Sequence, residues 1–118
     1  LARYFMRTGD TGARELGATF LDLSADGTDA QFDYTESKQI CKFGWGAALM
    51  DMANPDGGHM RHVVRMAEWF IASQLPPGTW HNSPFLTPNP NLANELEITA
   101  EFVLHLNTIL VALATRVD

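Results

Sequence analysis

Glu97, Glu101 and His105 stand four residues apart, so a helix that carries them presents all three on one face. If that face lines a cavity, Glu101 and His105 form an acid/base pair, because histidine is the side chain that titrates near neutrality. On an exposed face the same spacing gives only an i, i+4 pair. His59 and His62, three apart, could offer imidazoles to a metal near Asp51 and Asp56. No established zinc signature surrounds them, however, and a solvated helix accounts for the run from 57 to 62, so no metal is expected. Cys41 has Lys38 and Lys42 nearby, which favours a thiolate, yet beside Ile40 and Phe43 it also reads as a small buried thiol. Trp45, Trp80, Phe85 and Tyr34, with Phe32 and Trp69, make an aromatic set suited to lining a carbocation pocket or stacking on sugars. Trp69 follows a helical stripe and reads as packing. Trp45 lies between two glycines and Trp80 in a loop, where packing explains them less readily. The loop that follows, HNSPFLTPNPN, has the composition of a lid over a cavity. No glycine-rich phosphate cradle, nucleophile elbow or HExxH motif occurs, and no cofactor is expected.

Positioning these groups falls to a single small domain spanning residues 1–118. The chain of 118 residues is 46% hydrophobic and 19% charged, an ordinary globular balance. Fourteen acidic against eight basic side chains leave a net charge of -6, which argues against nucleic acid as a partner. One cysteine cannot close an internal disulfide. The opening segment lacks the apolar centre of a signal peptide, and no apolar run reads as the roughly 20 residues of a membrane span. A soluble, cytoplasmic chain is the expectation. Its first residue is Leu rather than Met, which suggests a processed form or a piece of something longer.

Periodicity places five helical segments. Leu96, Thr99, Phe102, Val103, Leu106, Ile109, Leu110 and Leu113 recur at three- and four-residue steps and predict a helix over 93–115. Met60, Val63, Val64, Ala67, Phe70 and Ile71 predict one over 58–74, between the breakers NPDGG and PPG. A third covers 36–53 despite Gly44 and Gly46, which each cost about 1 kcal/mol relative to alanine. A fourth covers 12–24, and ARYFMRT reads as the end of a fifth. No period-two strand pattern is present.

The turns at Gly9-Asp10 and Pro55-Asp56 begin similar units about 46 to 49 residues apart, which suggests a repeated helical hairpin. Asp10 matches Asp56, Ala18 matches Ala67, Phe20 matches Trp69, Leu21 matches Phe70 and Ser24 matches Ser73. Hairpins of this kind bury their apolar faces only against neighbours.

Residues 65–80, RMAEWFIASQLPPGTW, resemble the QW repeat of squalene and oxidosqualene cyclases, with Arg65, Trp69, Ile71, Gln74, Gly78 and Trp80 in the pattern's positions. In that family the glutamine caps a helix end and the tryptophan stacks over it, tying one hairpin to the next. The stretch KFGWGAALMDMANPD, followed by AEWFIASQLPPGTW, is also similar to the α/α toroids of six-hairpin glycosidases and N-acylglucosamine 2-epimerases. The resemblance covers about residues 34–114 and implies an all-α toroid of helical hairpins. A closed toroid needs more than five helices, so an incomplete arc, completed by further segments or by a homo-oligomer, is expected.

ELEITAEF further resembles the acid motif of protonating terpene cyclases. Glu95, Glu97, Thr99 and Ala100 are in register, and Ile98 stands where that family has a carboxylate. The resemblance implies that Glu97 is a proton donor. Acids in a first helical turn, behind an Asn94 cap, also suit the helix dipole.

The first expectation is therefore a terpenoid-cyclase-like enzyme, or piece of one, binding a largely apolar small-molecule substrate in a helix-lined cavity. Trp45, Trp80, Phe85 and Tyr34 would line that cavity. A carbohydrate-active toroid using Glu101 and His105, and a non-catalytic helical assembly module, are the alternatives.

Overall fold

The computed structural model describes residues 1–26, 37–80 and 92–116, apart from the side chains of 25, 26, 37–41 and 92–95. Tyr34, Phe85 and the loop over 81–91 lie outside the described residues, as does the side chain of Cys41. The described chain is all-helical: α1 (Ala2–Thr8), α2 (Thr11–Asp26), α3 (Ser37–Ala53), α4 (Met60–Ser73) and α5 (Leu92–Ala114).

Local chemistry sets the first boundary. Gly9 adopts a left-handed conformation (φ 73°), which lets its N–H cap α1 through the Phe5 carbonyl at 2.7 Å. Asp10 then caps α2, its Oδ1 accepting the Ala13 N–H at 3.2 Å. The α3–α4 turn also uses a left-handed glycine, Gly58, but His59 at the start of α4 makes no side-chain cap. Asp10 and Asp56 are thus not equivalent. Ser24 and Ser73 each donate to the carbonyl four residues back, Phe20 and Trp69, at 2.7 Å, as Thr8 and Thr19 do to Tyr4 and Glu15.

Helix α3 is the central element, packed by α1 and α2 on one side and by α4 and α5 on the other. Its small residues permit this crowding. Ala47 and Ala48 are fully buried. A Cβ built on Gly44 would stand 3.1 Å from both Ile109 Cδ1 and Met66 Cβ. Gly44, which weakens α3 as an isolated helix, therefore lets three helices approach one another. Between α4 and α5 the core is aromatic: Phe70 and Phe102 meet edge-on at 5.0 Å, and Trp80 packs against both. A second anchor joins the end of α3 to the C-terminal segment, where Arg116 bridges both carboxylate oxygens of fully buried Asp51 at 3.2 and 3.0 Å.

Two helices sit differently from the periodicity reading. In α5 the buried stripe is Ile98, Phe102, His105, Ile109 and Ala112, while Leu96, Val103 and Leu110 face outward at 54, 56 and 61% exposure. The helix is apolar on both faces, so its pattern could not select the inner one. In α4 the inward positions include His62 and Met66, whereas Val64 and Ile71 are exposed. The run over 57–62 is accordingly not a solvated helix face: His59 and His62 are buried.

The expectation that no apolar run is long enough to span a membrane also needs correction. Leu96–Ala114, 19 residues, is sufficiently long and apolar by length and composition. Its inner face is nevertheless occupied by the packing just described.

Candidate functional site

An open cavity of about 780 Å³ lies between the N-terminal hairpin and the central helix, closed at one end by α5. Leu1, Phe20, Leu21, Phe43, Leu49 and Met50 make most of its wall, and Gly17 and Gly46 leave it room. Its polar groups are few: Arg3, Ser24, Lys42, Glu101 and His105. Apolar walls with a small convergent polar set are the usual construction of a small-molecule site, and the volume falls within the range of such sites.

Trp45 and His105 form one structural unit at this cavity. Their rings stack at 4.9 Å with 22° between planes, and the Arg3 guanidinium lies 5.4 Å from the indole. Helix spacing explains the meeting: His105 falls on the inward stripe of α5, and Gly44 and Gly46 thin α3 on either side of Trp45. Burial pushes the His105 pKa down from 6.5, and Lys42 acts in the same direction, while Glu101 opposes them. Burial thus favours the neutral imidazole. Its Nδ1 is buried and has no hydrogen-bond partner among the described residues.

The residues singled out in the sequence thus divide. Glu101, His105 and Trp45 share the cavity. Glu97 is exposed and is not part of the lining. Trp80 lies in the aromatic core, 5% exposed, away from the cavity. Its indole N–H donates to the Phe70 carbonyl at 2.9 Å, and its backbone N–H donates to Thr99 Oγ1 at 3.2 Å.

This arrangement also redistributes the roles within 65–80. The carbonyl of Phe70 belongs to the last turn of α4, where intrahelical donors run out, and Trp80 satisfies it. Gln74 instead donates locally to the Gly78 carbonyl at 3.1 Å from an exposed position. Trp80→Phe, which removes the N–H together with the pyrrole part of the indole, should cost at least about 1–3 kcal/mol, through the buried acceptor left unmet and the space left by the smaller ring. Gln74→Ala should cost no more than about 0.5 kcal/mol. Urea unfolding midpoints of the two variants check this order, and the reverse order would return the capping role to Gln74.

Of the paired histidines, His62 joins a cluster between helices, while His59 is buried with its Nε2 unpartnered among the described residues. His62 Nε2 accepts from Arg61 Nε at 3.3 Å and lies 3.7 Å from Asp22 Oδ1, while Arg61 also reaches Asp22 at 3.3 Å. The cluster ties α4 to α2. Burial and the adjacent Arg61 lower the His62 pKa, against the pull of Asp22. Among the described residues no group of three or more histidine, cysteine or acidic side chains could hold a metal.

Sequence reasoning missed the contribution of the N-terminal hairpin, namely Arg3, Phe20 and Ser24. The available signal was the pair of apolar faces on α2, where Leu16, Phe20 and Leu23 add an outer row to the inner row Ala13, Gly17 and Leu21. No family model, curated protein or solved structure matches the chain.

Proposed function

We propose that the chain binds a small, largely apolar molecule bearing one polar group, in the cavity between α1, α2, α3 and α5. The observation that carries this reading is the composition of the wall: aliphatic and aromatic surface around about 780 Å³, with Arg3, Lys42, Glu101 and His105 as its main polar groups. An apolar body gains from burial there, and its polar end has cations, a carboxylate and a neutral imidazole within the same site. The α/α-toroid arc is the architectural part of the proposal. Two hairpins with glycine-containing turns, α1–α2 and α3–α4, support it.

If the site is catalytic, Glu101 and His105 are its acid/base pair, since they line the cavity while Glu97 does not. A terpenoid-like substrate fits the wall better than a sugar. The Trp45 indole, which would serve as the stacking platform, is already engaged by His105 and Arg3.

Gly46 provides the test. It lines the cavity, and a Cβ there meets only Leu21 Cδ2, at 3.8 Å, so Gly46→Leu fills the space without a backbone clash. Dodecanoate and dodecanol, titrated calorimetrically, should bind the parent chain and bind Gly46→Leu at least tenfold more weakly. The variant's unfolding midpoint should hold or rise, because leucine favours helix by about 1 kcal/mol over glycine. Equal binding by the two proteins, or none by the parent, would remove the proposal.

A further inference from the structure

The outer face of α5 presents Ala100, Val103, Leu104, Asn107, Leu110, Val111 and Ala114, all exposed. Counted from Asn107, the residues at minus and plus three are both leucine, at minus and plus four both valine, and at minus and plus seven both alanine. From residue 100 to 114 the face is a palindrome in residue type and in spacing, and exposed Leu96 extends it toward the start of the helix without a counterpart among the described residues.

We infer that this face pairs with the same face of a second copy, the two α5 helices running antiparallel about a two-fold axis through Asn107. Such an axis brings residue 107 plus n of one chain opposite 107 minus n of the other. Every leucine then meets a leucine, every valine a valine and every alanine an alanine. Asn107, at the centre of the face, meets its own copy, and one carboxamide supplies both the donor and the acceptor the other needs. A lone asparagine in an apolar helix seam is a known means of fixing register.

Charge selects the direction. A parallel pair would set exposed Glu97 beside its own copy, whereas the antiparallel pair carries the two to opposite ends and also opposes the helix dipoles. The exposed area sets an upper bound on the contact. Leu104, Leu110, Val103 and Val111 are 68, 61, 56 and 46% exposed. With the alanines and Asn107, the face offers on the order of 500 Å² per chain, so that two copies approach the roughly 1,000 Å² of a specific interface. A lipid surface is the less suitable occupant, because the chain carries a net charge of -6 and Arg116, the basic residue just beyond the stripe, is held by Asp51.

Sedimentation velocity in detergent-free buffer should give twice the 13.1 kDa chain mass, and Asn107→Asp should give the single mass with an unchanged circular dichroism spectrum. In a Cys41→Ser background, Asn107→Cys should oxidise to a disulfide-linked dimer. Ala100→Cys should not do so alone, but should cross-link when combined with Ala114→Cys. A monomeric parent chain, a dimer that survives both Asn107→Asp and Leu110→Glu, or efficient cross-linking by Ala100→Cys alone would each overturn the pairing. So would a monomer that floats with phosphatidylcholine vesicles, which would assign the face to lipid.

Discussion

Phe102→Ala should destabilise the fold by about 3–5 kcal/mol, the range for truncating a fully buried phenylalanine. Phe102 is the ring on which α4 and α5 converge, touching Phe70 at 5.0 Å, Trp80 at 5.7 Å and Trp69 at 6.2 Å, all near edge-on. Alanine removes three aromatic contacts together with the transfer free energy. The remaining rings are fixed on α4, which carries Trp69 and Phe70, and at Trp80 beyond it, and cannot collapse fully into the space. The expected fall in melting temperature is on the order of 15 °C. Val103→Ala, one residue away on the outward face, should change the stability of the isolated chain by no more than about 0.5 kcal/mol. Thermal denaturation of the pair at a protein concentration where the chain is monomeric reads the orientation of α5 directly. Similar losses for both would mean that the helix is not turned as described.

Gly44→Leu is the second large effect, and it runs against helix propensity. Leucine in place of glycine should stabilise α3 by about 1 kcal/mol. At Gly44, however, the first added carbon already stands 3.1 Å from Met66 Cβ and from Ile109 Cδ1, and the rest of the side chain must enter the junction of α3, α4 and α5. Overpacking of this kind costs about 1–3 kcal/mol and sometimes more, and α4 would have to move because a Cβ cannot rotate away. The net result expected is a loss of about 2 kcal/mol at Gly44, against no loss for the same substitution at Gly46. Chemical denaturation of both variants decides the point. Equal behaviour at the two glycines would show that close approach is not what keeps Gly44 small.

Five helices were legible in the sequence because each runs between strong breakers or carries apolar residues at helical intervals, and the boundaries agree to within a few residues. Breaker chemistry acts locally. Gly9 and Asp10 end one helix and begin the next through contacts within five residues, so nothing distant need be known. The i, i+4 relation of Glu101 and His105 was legible for the same reason, though not that it faces the cavity.

What periodicity could not supply was the direction each helix faces. Helix α5 has leucine, valine or isoleucine around most of its circumference, so packing against α3 and α4 decided that Ile98, Phe102, His105, Ile109 and Ala112 turn inward. That choice made His105 a buried, neutral partner of Trp45 and left Glu97 in solvent. Trp80 illustrates the same limit, because an indole in a loop reads as available until the unmet Phe70 carbonyl is seen beside it. Composition and local spacing thus determined an acidic, all-α chain and where its helices begin and end. The tertiary structure decided which faces are buried, which polar groups are paired, and that residues from Leu1 to His105 close around one cavity, since these depend on contacts between segments far apart in the chain.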